Sequence, residues 1–537
     1  MHILNKEKNT HRNAIILAAG AGIRMVPISA LVPKALLCVN GEQLIDRQIK
    51  QLKNSGITDI TVITGFKNNS LSYLEGDGIK LIYNDKYKDR NNLYSLSLAA
   101  DRITNTYIIP CDIWCKENPF SFIEKTSWYM VSDRIKRNTN VYIDSNGNLV
   151  RTKSSAYSKG NKMIGVSYLT GEAAETVRSK LIALSNDPNY YDSFWEETLY
   201  QNGKMIVPPK IVKADEAFEI NTYEQLRELD PQSEQLKSDV IAFIAKTFCC
   251  KPEDIHNISV LKKGMTNRSF RFSINNGEYI VRVPDEGTDK LVDREQEYKT
   301  YQTISGLGIC EDPLVIDPLT GYKITRYIQD VRNCNPSSIR DIRVCIGKLR
   351  EFHALKLKVP YEFDLFGTID FYESLRSGNM SRYKDYKETK ENVFRLRSFI
   401  DRHKCAYQLT HIDAIADNFL FDPHATGKLS LQLIDWEYAG MQDKHVDIAM
   451  FCIYSGLSRK EIDKVIDIYF DKDGCDMTTR AKIYCYIAVC GLLWSNWCEY
   501  KQDLGIEFGD YSYNQYRYAK QYYRYAVQLI NDIGEKL

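Results

Sequence analysis

The chain has almost no net charge: 71 Lys and Arg stand against 70 Asp and Glu over 537 residues, a formal +1. That balance gives no support to a nucleic-acid polyanion as the main partner, because such proteins carry an excess of basic charge. An ordered cysteine framework is also missing. The 14 Cys are scattered, with no CxxC pair and no Cys/His spacing suited to zinc. They read as free thiols of a reducing compartment, including the adjacent Cys249 and Cys250 and the pair Cys111 and Cys115 around Asp112. The first apolar run, Ala14 to Ala19, is too short for a signal peptide or a membrane span. A cytoplasmic protein without membrane insertion is the expectation. No internal repeat relates the two halves, and the length exceeds one ordinary core, so two or three domains are expected. What the chain does have is a globular balance of 44% hydrophobic and 26% charged residues, and 36 Tyr, many of them near the end.

Residues 409–440 read LTHIDAIADNFLFDPHATGKLSLQLIDWEYAG. Kinase-type phosphoryl transfer needs a carboxylate to orient the attacking hydroxyl, and an Asn and an Asp to hold magnesium against the nucleotide phosphates. Asp413, Asn418 and Asp435 stand in that order, each beside an apolar run (Phe419 to Phe421, Leu431 to Ile434) able to anchor it. The stretch resembles the HxDxxxxN and IDxE motifs of choline kinases and aminoglycoside phosphotransferases, which share a protein-kinase-like fold. The resemblance implies that Asp413 is catalytic and that Asn418 and Asp435 hold Mg²⁺.

Upstream, Val260 to Phe272 suggests a hairpin with a turn at Gly264 and contains Asn267. The strand Glu278 to Val283 carries Arg282, and a charged helix carries Asp293, Glu295 and Glu297. Kinases usually place a Lys on that strand, paired with a helix Glu. Choline kinases resemble this sequence in having Arg there, which makes Glu295 the expected partner and Glu297 the alternative. Asn267, Arg282 and Glu295 are the expected nucleotide contacts. Thr325 to Ile328 looks like an inter-lobe hinge. Residues 361–404 read as charged, solvated helices with little chemistry, and Asp447 opens a helix able to brace the catalytic loop.

Trp494 and Trp497 are three apart and share a helix face, with Tyr513, Tyr516 and Tyr518 beyond. Such a stripe suits a hydrophobic core, but a quaternary ammonium is also best held by aromatic faces with a carboxylate nearby. The WxxW resembles the segment choline kinases use for choline. That implies Trp494, Trp497, Glu437 and Tyr518 as substrate contacts, with Glu499 the nearby acid of the segment.

In the first half, the strand Ala14 to Leu17 runs into Ala18-Ala19-Gly20-Ala21-Gly22-Ile23-Arg24. Glycines after a strand let backbone N–H groups approach phosphate oxygens, and Arg24 and Lys34 supply positive charge. The third glycine of GxGxxG is absent, and so is the GK[ST] of a Walker loop. The LAAGxGxR…PKxL pattern resembles nucleotide-sugar pyrophosphorylases and CTP:phosphocholine cytidylyltransferases. A helix (Leu44 to Leu52) and strands (Ile60 to Thr64, Lys80 to Tyr83, Tyr107 to Pro110) agree with an open α/β sheet. Asp112 follows the last of these, where such folds place ligands. The run Asn84, Asn91, Asn92, Ser95 resembles the phosphocholine enzymes more than the sugar enzymes. From that resemblance Asp112 is a metal ligand, Lys86 lies near the phosphates, and the second ligand falls in Phe218-Glu219-Ile220-Asn221. The family pattern has Asp where this chain has Asn221, so Glu219 is expected to share the role. Leu17, Ala18, Ala19, Gly20, Gly22, Arg24 and Lys34 are the expected nucleotide contacts, with Arg24, Lys34 and Lys86 in the reaction.

The reading is therefore two fused enzymes of α/β class. Residues 1–231 form a Rossmann-like nucleotidyltransferase domain with a mixed sheet. Residues 235–537 form a two-lobed, protein-kinase-like α+β domain, with a small lobe at 235–328 and a large lobe at 329–537. The expected function is ATP-dependent phosphorylation of choline, followed by CMP transfer from CTP to give CDP-choline and pyrophosphate, both with Mg²⁺. The alternatives are the same reactions on ethanolamine or another amino alcohol, and a sugar-nucleotide pyrophosphorylase fused to a different small-molecule kinase. The expected partners are choline, phosphocholine, ATP and CTP; homo-oligomer formation is left open.

Overall fold

The computed structural model describes residues 11–20, 25, 32–137, 139–152, 159–261, 267–284, 288, 290–376, 378, 380–504 and 508–537. The chain divides into two compact units, Met1–Val260 with Phe272–Asn275, and Leu261–Arg271 with Asn276–Leu537. The join expected at 231–235 lies inside the span of the first unit. Side-chain bonds account for this: Tyr223 donates to the Leu236 carbonyl at 3.1 Å and Arg227 to that of Ile255 at 2.9 Å. Gln235 and Asp230 accept from the backbone N–H groups of Cys38 and Asn40.

The first unit is built on Asn13–Ala18, buried along its whole length and paired in parallel with both Asp59–Thr64 and Thr106–Pro110. Continuous burial on both faces is the habit of a central parallel strand, and its unbroken apolar sequence follows from that. Ile79–Tyr83 extends the parallel edge. On the other side the sheet turns antiparallel, through Lys159–Leu169 and then Trp128–Arg137. The sheet is therefore mixed, as expected. The amphipathic helix Leu44–Asn54 buries Leu44, Ile45, Ile49 and Leu52. The helix Tyr223–Leu229 starts with a capping box from Thr222 and Gln225.

The second unit begins with a small sheet in which Gly277–Pro284 pairs antiparallel with Lys323–Arg326, and that strand with Val315–Ile316. The helix Arg294–Ile304 packs against it. The larger lobe is mostly helical. The helix Met477–Asp503 is buried along most of its length, its charged Lys482 and Glu499 included. Gly491 lets a neighbour come close: a Cβ there would stand 2.7 Å from the Gln515 carbonyl and 2.8 Å from the Ala519 nitrogen of helix Asp510–Asp532. Two small ribbons carry the loop chemistry: Phe419–Phe421 with Leu431–Leu433, and Gln408–Thr410 with Gly440–Gln442. Among the described residues, no helix is long and apolar enough to cross a membrane.

The stretch 361–404 departs from the expected solvated surface. It forms helices Leu365–Ser374, Tyr386–Arg395 and Arg397–His403. Several of its side chains are core, Ile369, Tyr372, Val393 and Phe399 among them. Charged residues dominate its composition, and most of them lie on the outward stripes of the helices, while Arg376 is buried.

Candidate active sites

In the first unit a cleft of about 1180 Å³ opens along the ends of the parallel strands, lined by Leu17, Ala19, Gly20, Lys34, Asp112, Glu219 and Asn221 among others. Its centre is set by a short antiparallel pairing of Ile113–Cys115 with Ala217–Glu219, in which Glu219 lies opposite Ile113. The Ile220 N–H donates to the Asp112 carbonyl at 2.9 Å. This register brings Asp112 beside Asn221 although 109 positions separate them in sequence. The Lys34 ammonium bridges the two, donating to the Asp112 carboxylate at 2.9 Å and to the Asn221 side-chain carbonyl. Glu219 pairs with Lys162 at 3.2 Å.

Other expected residues are placed differently. Ala18 is buried in the strand and does not line the cleft. Lys86 does not line it either; its ammonium lies 5.3 Å over the Tyr94 ring. Lys88, Arg90, Arg151 and Lys162 line the cleft and supply its positive charge. Gly22 and Arg24 lie outside the described residues. The asparagines serve as bracing: Asn84 bonds Ser95 at 3.0 Å, Asn91 caps the helix Asn92–Ser97, and Asn92 accepts from the Trp195 N–H at 2.8 Å. Sequence reasoning missed Glu196, a cleft residue whose carboxylate accepts from the Tyr129 hydroxyl at 2.9 Å. Burial pushes that carboxyl up to about 7. Nothing in its local sequence marks it, because the strand carrying Tyr129 is distant in the chain.

In the second unit Asp413, Asn418 and Asp435 come together. Asn418 donates to the Asp413 carbonyl at 2.9 Å and to its carboxylate at 3.2 Å. The loop is held from behind by Asp447, whose two oxygens accept from the N–H groups of His411 (3.0 Å) and Ile412 (2.8 Å). His353 bonds the same carboxylate at 3.0 Å. Ile412 (φ 69°) and Asp435 (φ 67°) are both in the left-handed region, which costs a non-glycine residue about 1–3 kcal/mol and persists where the surroundings dictate it. The carboxylates are crowded and short of donors. Burial raises the Asp435 carboxyl to about 7, with the charge of Glu437 adding to it. Asp413 is raised by burial and then by the charges of Asp435 and Glu437. Asp435 Oδ1 accepts no hydrogen bond among the described residues. Crowded oxygen donors with an unmet acceptor suit a hard divalent cation.

Arg282 makes a paired hydrogen bond to Glu297, one arm at 2.9 Å, and donates to the Gly321 carbonyl at 2.7 Å. Burial works against the charged Glu297, yet the Arg282 charge and bonds hold its carboxyl down at about 2. The expected partner Glu295 is corrected by this geometry: it faces outward and pairs with Lys299 at 2.8 Å. Glu437 accepts from Asn267 and from Arg294, both at 2.9 Å. Its Oε2 is thereby tied to the small lobe of this unit, while its charge also acts on the phenols of Tyr372 and Tyr438. Gly264 lies outside the described residues.

Trp494 and Trp497 belong to an aromatic box. Their rings stand edge to face at 5.6 Å, Tyr438 meets Trp494 at 5.3 Å, and Phe508 lies 5.3 Å from Trp497. Both indole N–H groups are directed to protein atoms, Met450 Sδ at 2.9 Å and the Tyr438 hydroxyl at 3.3 Å. Burial raises the phenols of Tyr372, Tyr438 and Tyr511; the charge of Glu437 adds at Tyr372 and Tyr438, and that of Asp413 adds a smaller push at all three. This grouping was not legible in the sequence, because the three tyrosines come from three separate segments. Tyr518 is not part of the box: its hydroxyl donates to the Leu457 carbonyl at 2.7 Å and its ring packs on Tyr522. Glu499 is bonded to Arg376, to Ser381 at 3.0 Å and to the Arg382 N–H at 2.7 Å. Elsewhere in this unit Cys405, Asp443 and His445 cluster, but the Lys482 ammonium, 2.7 Å from Asp443 and 3.4 Å from the Cys405 sulfur, already supplies a cation there.

Two family models match the chain: the MobA-like NTP transferase domain over residues 14–117, and choline/ethanolamine kinase over residues 258–487. The choline-phosphate cytidylyltransferase of Streptococcus pneumoniae is 31% identical over 220 residues, 40% of this chain and 96% of that relative. A 2-aminoethylphosphonate cytidylyltransferase of Lancefieldella rimae is 28% identical over 238 residues, 43% of this chain and 92% of that protein. The crystal structure of choline kinase LicA from Streptococcus pneumoniae covers 54% of this chain and 100% of its own, at 27% identity and a TM-score of 0.47. Fold and sites thus define a transferase that joins a nucleotidyltransferase domain to a choline-kinase-like domain. The chain belongs, through its N-terminal part, to the choline-phosphate cytidylyltransferase family, here fused to a choline/ethanolamine kinase domain.

Proposed function

We propose that the second unit phosphorylates choline with ATP and that the first transfers CMP from CTP to the resulting phosphocholine, releasing pyrophosphate. The observation that carries the substrate is the aromatic box beside Asp413. A trimethylammonium donates no hydrogen bonds, so a pocket for it needs ring faces and apolar contact, whereas a primary ammonium needs acceptors. Glu499, the acid nearest in sequence, is fully engaged with Arg376, Ser381 and Arg382, which favours the quaternary cation.

In the kinase reaction Asp413 orients the choline hydroxyl and takes its proton as the oxygen attacks the γ-phosphorus, and the bond from that phosphorus to the bridging oxygen breaks to release ADP. Arg282, steadied by Glu297, faces the nucleotide phosphates, and Asn418 and Asp435 are the residues that would hold Mg²⁺. Bound there, the ion would neutralise phosphate charge during transfer. In the cytidylyl reaction a phosphate oxygen of phosphocholine attacks the α-phosphorus of CTP, and the bond to pyrophosphate breaks. The nucleophile is already ionised, so no strong general base is required. Asp112 and Asn221 converge on one cation, the Lys34 ammonium, and offer the hard oxygen donors that Mg²⁺ takes. Glu219, paired with Lys162, is the less direct candidate. Lys34 and the Leu17 to Gly20 segment would meet the nucleotide phosphates. Glu196, with Phe194 and Tyr200 on the same cleft wall, offers a carboxylate and rings to the acceptor's cation. The functional join is proposed at 231–235, between complete motif sets, although the compact first unit runs on to Val260; the cytoplasm, which supplies ATP and CTP, is the proposed setting.

The test is mass spectrometry of products after incubation with ATP, CTP, Mg²⁺ and a panel of amino alcohols and 2-aminoethylphosphonate. CDP-choline from free choline, formed through phosphocholine, is the expected result. Preferential conversion of ethanolamine or of 2-aminoethylphosphonate, or no cytidylylated amino alcohol at all, overturns the reading.

A further inference from the structure

A second buried cation stands beside Arg282 and has no part in the chemistry described above. Lys323 lies directly opposite Arg282 in the antiparallel pairing of Gly277–Pro284 with Lys323–Arg326. Paired residues project to the same face of a sheet, so both side chains reach toward the helix Arg294–Ile304. Arg282 takes Glu297 on that helix. Lys323 takes Tyr301, one turn later, donating to its hydroxyl at 2.7 Å. The ammonium also donates to Glu311 at 2.7 Å, and the Tyr301 hydroxyl donates to the same carboxylate oxygen at 2.7 Å. Lys323 and Tyr301 are almost fully buried, and the side chains of Lys323 and Glu311 are only 8% and 9% exposed.

The position of Glu311 gives this triad its reach. It sits in the loop that follows the helix, and that loop is tied to the catalytic lobe at two points. The Leu433 N–H donates to the Ile309 carbonyl at 2.9 Å, and Lys348 donates to the Gly308 carbonyl at 2.7 Å. Leu433 ends the strand Leu431–Leu433, two residues before Asp435. One buried ammonium therefore connects the helix that presents Glu297, the strand that presents Arg282's neighbour, and the loop bonded to the strand that presents Asp435. Its charge also favours the ionised forms of both Asp435 and Glu297.

The geometry points to Lys323, acting with Tyr301 and Glu311, as a positioning residue for phosphoryl transfer: it locks the Glu297 helix to the strand that leads into Asp435, so that Arg282 and Asp435 face the nucleotide together. This rests on the ATP-dependent reading of the second unit. A surface ion pair would contribute little, but a buried one whose partner is removed leaves an uncompensated charge and loses its geometric hold.

The test uses the full chain, with KM for choline as the check that the second unit is folded and cytidylyl transfer to added phosphocholine as the check on the first. ATP affinity by calorimetry, KM for ATP, KM for choline and kcat are measured for wild type, K323M, K323R and Y301F. K323M is expected to weaken ATP binding by about tenfold and lower kcat by a further tenfold or so, with KM for choline within about twofold of wild type. K323R, which keeps a cation, should recover most of the lost ATP affinity. Y301F, which removes one oxygen and keeps the ring, should cost about three- to tenfold in kcat/KM for ATP. Unchanged ATP affinity and kcat in K323M, or an equal loss in KM for ATP and for choline, overturns the proposal. Should K323M fail to fold, Y301F decides: ATP parameters equal to wild type overturn it. Absence of ATP-dependent phosphorylation in the wild type would instead defeat the kinase reading itself.

Discussion

Arg282 and Glu297, on a strand and a helix of the second unit, form a doubly hydrogen-bonded buried pair, one arm at 2.9 Å, while Glu295 two residues earlier faces solvent and pairs with Lys299. The arginine is thereby fixed as a planar fork, with less freedom than an unpaired side chain. E297Q should accordingly lower kcat/KM for ATP by about 100-fold, because breaking a buried pair costs about 3–5 kcal/mol, part of it felt at the site. E295Q should stay within about twofold of wild type, as expected for an exposed i,i+4 pair. Steady-state kinetics with ATP on both variants checks this; equal effects of the two would mean that the pair does not hold Arg282 for the nucleotide.

Asp413 and Asp112 lie in different units and in different constellations. D413N is expected to abolish choline phosphorylation while leaving cytidylyl transfer from CTP to supplied phosphocholine, and D112N to do the reverse. Each loss should reach at least about 100-fold, since both reactions depend on a positioned carboxylate. The two half-reactions, assayed separately on each folded variant, provide the check. Loss of both activities in either one contradicts the division of labour.

On the proposed reading, the aromatic box sets the choice of alcohol. A desolvated cation–π contact is worth about 2 kcal/mol, so W494A or W497A should reduce kcat/KM for choline by about 30-fold and reduce it less for ethanolamine. Y518F, which loses a hydroxyl bonded to Leu457, should leave the ratio of the two alcohols unchanged. Competition between choline and ethanolamine on these three variants is the measurement. If both alcohols decline in parallel in the Trp variants, the rings serve only as core.

The acceptor end of the cytidylyl site should respond to pH. Burial raises Glu196 to about 7, so its carboxyl is neutral below that pH and charged above it. A cation is attracted only by the charged form. KM for phosphocholine should therefore fall as pH rises through 7, approaching about a tenfold change per unit on the acid side. Because the substrate phosphate titrates near pH 6, the difference between wild type and E196Q carries the result. The E196Q profile should be flatter, with a higher KM above pH 7. Superimposable profiles would remove Glu196 from acceptor binding.

Much of this was legible in the sequence because it is local. The buried strand Asn13–Ala18 announces itself by an unbroken apolar run, and helix Tyr223–Leu229 by its Thr222 and Gln225 cap. Asp413, Asn418 and Asp435 are spaced by the loop and hairpin that bring them together, so their order along the chain already contains their neighbourhood. The choice between Glu295 and Glu297 was also within reach: Thr300, Tyr301 and Ile304 mark the buried face, and only Glu297 lies on it at helical spacing.

What only the tertiary structure decided is which distant groups satisfy one another. Glu499 sits in sequence beside the two tryptophans, yet Arg376, from a segment that reads as plain surface, takes its charge. Lys86 stands in a motif but turns to Tyr94, while Lys162 reaches Glu219 from another strand. Tyr372, Tyr438 and Tyr511, from separate helices and loops, all feel the Asp413 charge. Spacing along a chain fixes contacts within a turn or a hairpin. A buried charge or ring takes whichever partner the packing of remote elements brings within a few ångströms, and that is a property of the assembled core.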